Sequence, residues 1–191
     1  MKPVGFDNTM LSILLNQGGR MPTDPATGQP VVMAMRRAEN LVERLGKSRQ
    51  KIIVPTPALA ELLTAIGPTA QQYLDIIAKS PLFEVASFDA RCAIELAYLN
   101  RGIFADHDPK NSSEAYQKIK IDRQIIAVFK VAGVENVYTD DAGLAKRARL
   151  CGLNPIATAD LPLPVADRQL NIEYDGPGGT SEPTDEPNPA S

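Results

Sequence analysis

Five acidic residues carry most of the chemistry this sequence could perform: Asp7, Glu61, Asp122, Asp140 and Asp141. Asp122 lies in the stretch KIKIDRQIIA, where Ala115, Ile119, Ile126 and Phe129 recur at helical spacing and Asp122 falls on the same face. A carboxylate on a core-facing stripe is costly unless something compensates its charge. Asp140 and Asp141 close the apolar run of Val134, Val137 and Tyr138 that follows a turn at Gly133, and Asp7 closes the run that ends at Phe6. Carboxylates gathered without a cation repel one another and stay partly protonated. Mg²⁺ and Mn²⁺ prefer oxygen ligands, activate water and neutralise charge building on a phosphodiester. The pattern therefore predicts a divalent-metal site, with the hydroxyls of Thr9 and Thr139 close enough in sequence to support it.

Each acid also has a plainer reading. Asp7 suits a helix N-cap, and Glu61 suits the first turns of a helix, where the dipole favours negative charge. Asp122 could be half of a buried ion pair with Lys118 or Arg123. Of Asp140 and Asp141, one is expected to cap the next helix while the other faces the site. Arg36, Arg37, Lys118, Lys120, Arg123, Lys146 and Arg147 are candidates for gripping a phosphate backbone, although most such charges solvate helix faces.

These residues need elements to position them. The sequence predicts short strands at Lys2–Phe6, Lys51–Val54, Phe83–Ala86, Val134–Tyr138 and Asn154–Ala157. Helices are expected from Met10, over Val31–Leu45, after Pro55-Thr56-Pro57 with Thr56 as N-cap, through Gly67–Lys79, and over Asp89–Leu99 with Ser87 as cap. Two more are expected, one carrying Asp122 and capped by Ser112 or Ser113, the other over Ala142–Leu150. Gly18–Pro30 and Arg101–Ser113 read as polar loops. Helices between short strands predict a parallel sheet covered on both faces. In such sheets ligands bind beyond the carboxyl ends of the strands where strand order reverses, so Asp7 and Asp140/Asp141 are expected on one rim.

The chain has 191 residues, 43% of them apolar, enough for one globular domain. Residues 1–160 are expected to form that domain and 161–191 a Pro/Gly/acid-rich tail, disordered from about 175. Net charge is −3, but from Asn171 onward there are five acids and no Lys or Arg, leaving 20 basic against 18 acidic residues before it. A nucleic-acid partner is therefore permitted by composition. Cys92 and Cys151 are far apart without metal-ligand spacing and read as buried free thiols of a reducing compartment. Asp7 interrupts the first apolar run, and nothing approaches the roughly 20 apolar residues of a membrane span. A cytoplasmic protein without membrane contact is expected.

The order FDNT, IIVPTPALAEL, KIKIDRQIIA, VYTDDAGL resembles the PIN-domain nucleases of the VapC-like toxin type, over Lys2 to about Thr158. The resemblance implies an α/β fold, a three-layer α/β/α sandwich around a mainly parallel sheet. It also implies a Mg²⁺- or Mn²⁺-dependent endoribonuclease acting on RNA. Carried over, metal-binding and catalytic roles fall to Asp7, Glu61, Asp122 and Asp141, with Asp140 as the alternative fourth acid. Many members are toxins neutralised by a small antitoxin protein, and many are homodimers. Two features depart from the pattern. The family usually has Asp-Thr-Asn or Asp-Thr-Ser after its first strand, where this chain has Asp7-Asn8-Thr9, and the chain is longer than a typical toxin.

Other readings fit less well. An aspartyl phosphatase needs a second Asp where Thr9 stands. A receiver domain needs an acidic pair before its first helix and a phosphorylated Asp ending a middle strand. A Ser-His-Asp hydrolase would have to use His107, the only histidine, in a polar loop. The remaining rival is a PIN-like module that binds RNA or protein without cutting.

Overall fold

The computed structural model describes residues 1–15, 21–105 and 113–164, the side chains of 113–115 excepted. Gly18, His107, the Ser112/Ser113 cap, the facing of Ala115 and the tail beyond 164 lie outside the described residues.

The strands are β1 (Val4–Phe6), β2 (Ile52–Pro55), β3 (Phe83–Ala86), β4 (Asn136–Tyr138) and β5 (Asn154–Ile156). The helices are α1 (Asn8–Leu14), α2 (Ala34–Lys47), α3 (Thr56–Ile66), α4 (Ala70–Lys79), α5 (Ala90–Arg101), α6 (Ser113–Val131) and α7 (Ala142–Leu150). All pairings are parallel and the strand order is β3-β2-β1-β4-β5. Order reverses beside β1, because the chain first builds outward through β2 and β3 and then returns to place β4 on the other side. The crevice between the ends of β1 and β4 is thus the switch point at which parallel sheets bind ligands.

Alternation along the strands divides the core in two. Val4, Phe6, Ile52, Val54 and Tyr138 face one side, packing with Met10, Leu11, Leu41, Leu62 and Ile77 of α1 to α4. Ile53 and Val137 face the other, packing with Cys92, Leu99, Ile125, Phe129, Leu144 and Ala148 of α5 to α7. The result is the expected three-layer α/β/α sandwich. Phe6 meets Tyr138 and Phe83 edge-on, with ring centroids 5.5 and 6.4 Å apart. Behind Phe6, Gly5 leaves room for the Phe129 ring, since a Cβ on Gly5 would stand 2.4 Å from Phe129 Cε1. Leu161 is buried among the α1–α4 residues, and the Pro162 carbonyl accepts from Asn40 of α2.

The expected bounds of β3 and α7 are met. α1 begins at Asn8, two residues before the expected Met10, because Asp7 caps it. α4 begins at Ala70 after a 3₁₀ turn over Gly67–Thr69, where helix from Gly67 was expected. Three further helix starts differ for local reasons. α2 begins at Ala34 because Val31 N–H is bonded to Pro22 O and Met33 is left-handed at φ 54°. Thr56 is the first residue of α3, not its cap. Its hydroxyl instead accepts from Phe88 N–H at 3.1 Å, tying α3 to the chain after β3. α5 is capped by Asp89, which accepts from Cys92 N–H at 3.1 Å, where Ser87 was expected to serve.

Candidate functional site

The register pairs Phe6 with Tyr138, so Asp7 and Thr139 emerge side by side from β1 and β4. Asp7 is fully buried and caps α1, accepting Met10 N–H at 3.0 Å. The Thr139 hydroxyl donates to Asp7 Oδ2 at 2.6 Å, and the Thr9 hydroxyl lies 2.8 Å from Oδ1. The Thr9 hydroxyl, two residues after Asp7, therefore reaches the acid. Thr9 Oγ1 also accepts the Asp140 N–H at 2.9 Å, and Thr139 Oγ1 the Asp141 N–H at 3.0 Å. Burial nevertheless pushes the Asp7 carboxyl up to about 6, outweighing the three hydrogen bonds.

Asp140 and Asp141 separate at this point. Asp140 turns toward the end of β5, where Thr158 N–H and the Thr158 hydroxyl both donate to it. Asp141 caps α7 through Oδ1, which accepts Leu144 N–H at 2.9 Å. Its Oδ2 meets Lys118 Nζ of α6 at 2.5 Å. Asp141 is thus the helix cap of the pair, and it also reaches Lys118 across the rim. Burial raises its carboxyl, but the Lys118 ammonium and the amides of Leu144 and Gly143 outweigh this and hold it below the usual range.

Asp122 is 4% exposed, as its place on the apolar stripe of α6 requires. Its partner is neither Lys118 nor Arg123 but Arg147, which donates through Nη1 to Oδ2 at 2.9 Å. α7 lays this arginine against α6, its neighbour in the same layer, and leaves it 17% exposed, so it does not face outward toward a phosphate. Burial and then the Asp141 charge push the Asp122 carboxyl up to about 7, and the Arg147 and Lys118 cations only partly oppose them. Glu61, half-buried on α3, is raised by burial and by Asp141 and lowered by Lys118. Asp7, Glu61 and Asp122 all sense the charge of Asp141, which makes Asp141 the electrostatic hub of the rim. Among the described residues, no group of three or more His, Cys, Asp or Glu side chains is arranged to hold a metal ion.

The other basic candidates are spread over the surface. Arg37 is half-buried, and its guanidinium donates to the Val32, Ala159 and Leu161 carbonyls, clipping the segment after β5 to α2. Arg123 donates to Asn100 Oδ1 and lies over the Phe104 ring. Arg36 pairs with Glu39 on the exposed face of α2, and Lys120 sits above the Tyr116 ring. Sequence reasoning missed Thr158 and the part played by Arg147. No sequence spacing signals Arg147: it lies six residues past Asp141 on α7 and reaches Asp122 through the packing of α7 on α6.

No protein-family model matches the chain, and no curated protein matches it. Solved structures do. A chain of the VapBC2 complex of Rickettsia felis, solved bound to a DNA fragment from its promoter, is 16% identical with a TM-score of 0.54. That match covers 81% of this chain and 97% of that one. Mycobacterium tuberculosis VapC20, described as a sarcin–ricin loop cleaving toxin, is 17% identical with a TM-score of 0.48, covering 75% and 93%. The fold of this chain is accordingly the PIN-like α/β/α sandwich that the sequence resembles.

Proposed function

We propose that this chain is a Mg²⁺- or Mn²⁺-dependent endoribonuclease with Asp7, Glu61, Asp122 and Asp141 as its acidic centre, and that it acts as the toxin of a toxin–antitoxin pair. What supports the reading is that Asp7, Glu61 and Asp122, at the end of β1, on α3 and on α6, each feel the charge of Asp141 beside the ends of β1 and β4, where strand order reverses. Carboxylate and hydroxyl oxygens alone make up the donor set, which suits a hard divalent cation better than zinc. Such a cation, when bound, supplies Lewis acidity toward a phosphodiester and a water of lowered pKa. The chain's own residues do the rest. Thr9 and Thr139 fix the Asp7 carboxylate, α7 fixes Asp141 through its cap, and Arg147 fixes Asp122. Lys120 and Lys146, both exposed, are available to phosphate oxygens.

The PIN-like fold supports a protein antitoxin as partner, as in the two-protein Rickettsia complex, and a homodimer is carried from the same resemblance. No described helix is long and apolar enough to cross a membrane. Cys92 and Cys151 are buried free thiols, in keeping with action in the cytoplasm.

One observation favours the rival module that binds without cutting: Asp141 and Asp122 already have cations of the chain itself against them. A single assay separates the two. A structured RNA pool is incubated with Mn²⁺, Mg²⁺ or EDTA and either wild type or Asp7→Asn. Cutting that needs both metal and Asp7 is expected. A folded wild type that cuts nothing with either metal would favour the binding module.

A further inference from the structure

Two cations touch the acids of the rim, and they are held differently. Arg147 is a largely enclosed side chain, 17% exposed, that reaches Asp122 alone. Lys118 is 60% exposed, and its ammonium contacts Asp141 Oδ2 at 2.5 Å while also acting on Asp122 and Glu61. One flexible charge therefore pairs with one carboxylate and partly offsets the charge of two more from the solvent side. Such an ammonium is held by charge more than by packing, because the lysine end of the pair stands in solvent while the Asp141 end is 15% exposed. Arg147, by contrast, could leave only by breaking the packing of α7 on α6.

We propose that Lys118 is a displaceable counter-ion of the acidic centre. It occupies Asp141 when no divalent cation is present and competes with such a cation for that carboxylate, while Arg147 is the permanent partner of Asp122. This rests on the metal-site reading above and adds a regulating residue to it: the affinity of the centre is set partly by how firmly its own lysine holds Asp141. An ammonium and a divalent cation cannot share the oxygen at contact distance without strong repulsion. Metal entry must then release Lys118 into solvent, which its exposure and four-carbon stem permit.

The test measures Mn²⁺ binding directly, by the loss of free Mn²⁺ signal in electron paramagnetic resonance, for wild type, Lys118→Met and Lys118→Arg. Thermal melting of each in EDTA and in Mn²⁺ accompanies it. Lys118→Met is expected to bind Mn²⁺ roughly two- to fivefold more tightly, to melt lower than wild type in EDTA and to gain more from Mn²⁺. Lys118→Arg should stay close to wild type. Equal or weaker Mn²⁺ binding by Lys118→Met overturns the proposal. A melting loss equal in EDTA and in Mn²⁺ would mark Lys118 as a structural residue and overturn it too. If neither wild type nor Lys118→Met binds Mn²⁺, the metal-site reading fails and takes the proposal with it. Binding by wild type without tightening in the variant removes the proposal alone.

Discussion

Thr139, at the end of β4, donates its hydroxyl to Asp7 Oδ2 across 2.6 Å and receives the Asp141 N–H on the same oxygen at 3.0 Å. A single buried hydroxyl therefore fixes one acid by its side chain and another by its backbone. Thr139→Val keeps the shape and removes both contacts. The expected result is a cleavage rate about tenfold or more lower, with stability reduced by about 1–3 kcal/mol for the polar groups left unmatched. Thr139→Ser should recover most of both. Single-turnover RNA cleavage and urea melts make the comparison, and an unchanged rate in Thr139→Val would remove the hydroxyl from the site.

Acid and base should act on the metal-free protein in an unusual direction. Asp7 is pushed up to about 6 and Asp122 to about 7, against about 4 for a carboxyl in an unfolded chain. Between those values the folded state binds more protons than the unfolded one, so stability falls as pH rises. The contribution is fully present below about pH 4 and lost as pH climbs through 6 to 7. For Asp7 the shift corresponds to about 3 kcal/mol at most. In EDTA the melting temperature is expected to be higher at pH 5 than at pH 7.5, with a smaller difference in Asp7→Asn and in Asp122→Asn. A melting temperature that rises over that interval in wild type would contradict the burial of these charges.

Asp140 and Asp141 are adjacent and chemically identical, yet their variants should behave differently. Asp140→Asn weakens the two bonds from Thr158 that hold the end of β5. It should lower stability by about 1–2 kcal/mol while cleavage continues. Asp141→Asn keeps a competent helix cap, because Asn caps as well as Asp, and should lose cleavage with little change in melting. The opposite pattern would exchange the two residues' roles.

Gly5→Ala tests the core behind the site. A Cβ there would stand within 2.4 to 2.8 Å of three Phe129 ring carbons, and overpacking of this kind typically costs about 1–3 kcal/mol. Chemical denaturation should register that loss. Adding Phe129→Leu to Gly5→Ala should restore part of it, and a loss that is simply additive would mean that the two residues do not compete for space.

Much of this architecture was legible because it is local. The presence and parallel pairing of five strands, the helix of Ala142–Leu150 and the sheet rim follow from apolar periodicity and from acids that close apolar runs, whereas β1, β4 and β5 are shorter than their apolar runs. The facing of Asp122 followed from its spacing with Ile119, Ile126 and Phe129. Its partner did not, because Arg147 reaches it only through the packing of α7 on α6. Asp140 and Asp141 could not be separated for a similar reason: the choice depends on Thr158, which β5 brings alongside. Thr56 and Ser87 were plausible caps by residue type. Each was displaced by a contact that a one-dimensional reading does not contain, the Phe88 amide for Thr56 and the better placed Asp89 carboxylate for Ser87.

Asp141 has one oxygen on the Leu144 amide and the other on the cation side of the rim. Any ligand that draws this carboxylate outward lengthens a helix-capping bond, and any ligand that holds it still shortens the excursions of that amide. The Leu144 proton is thus a built-in reporter. Its nuclear magnetic resonance shift and its exchange with deuterated solvent should register what sits on Asp141 before a single phosphodiester is cut.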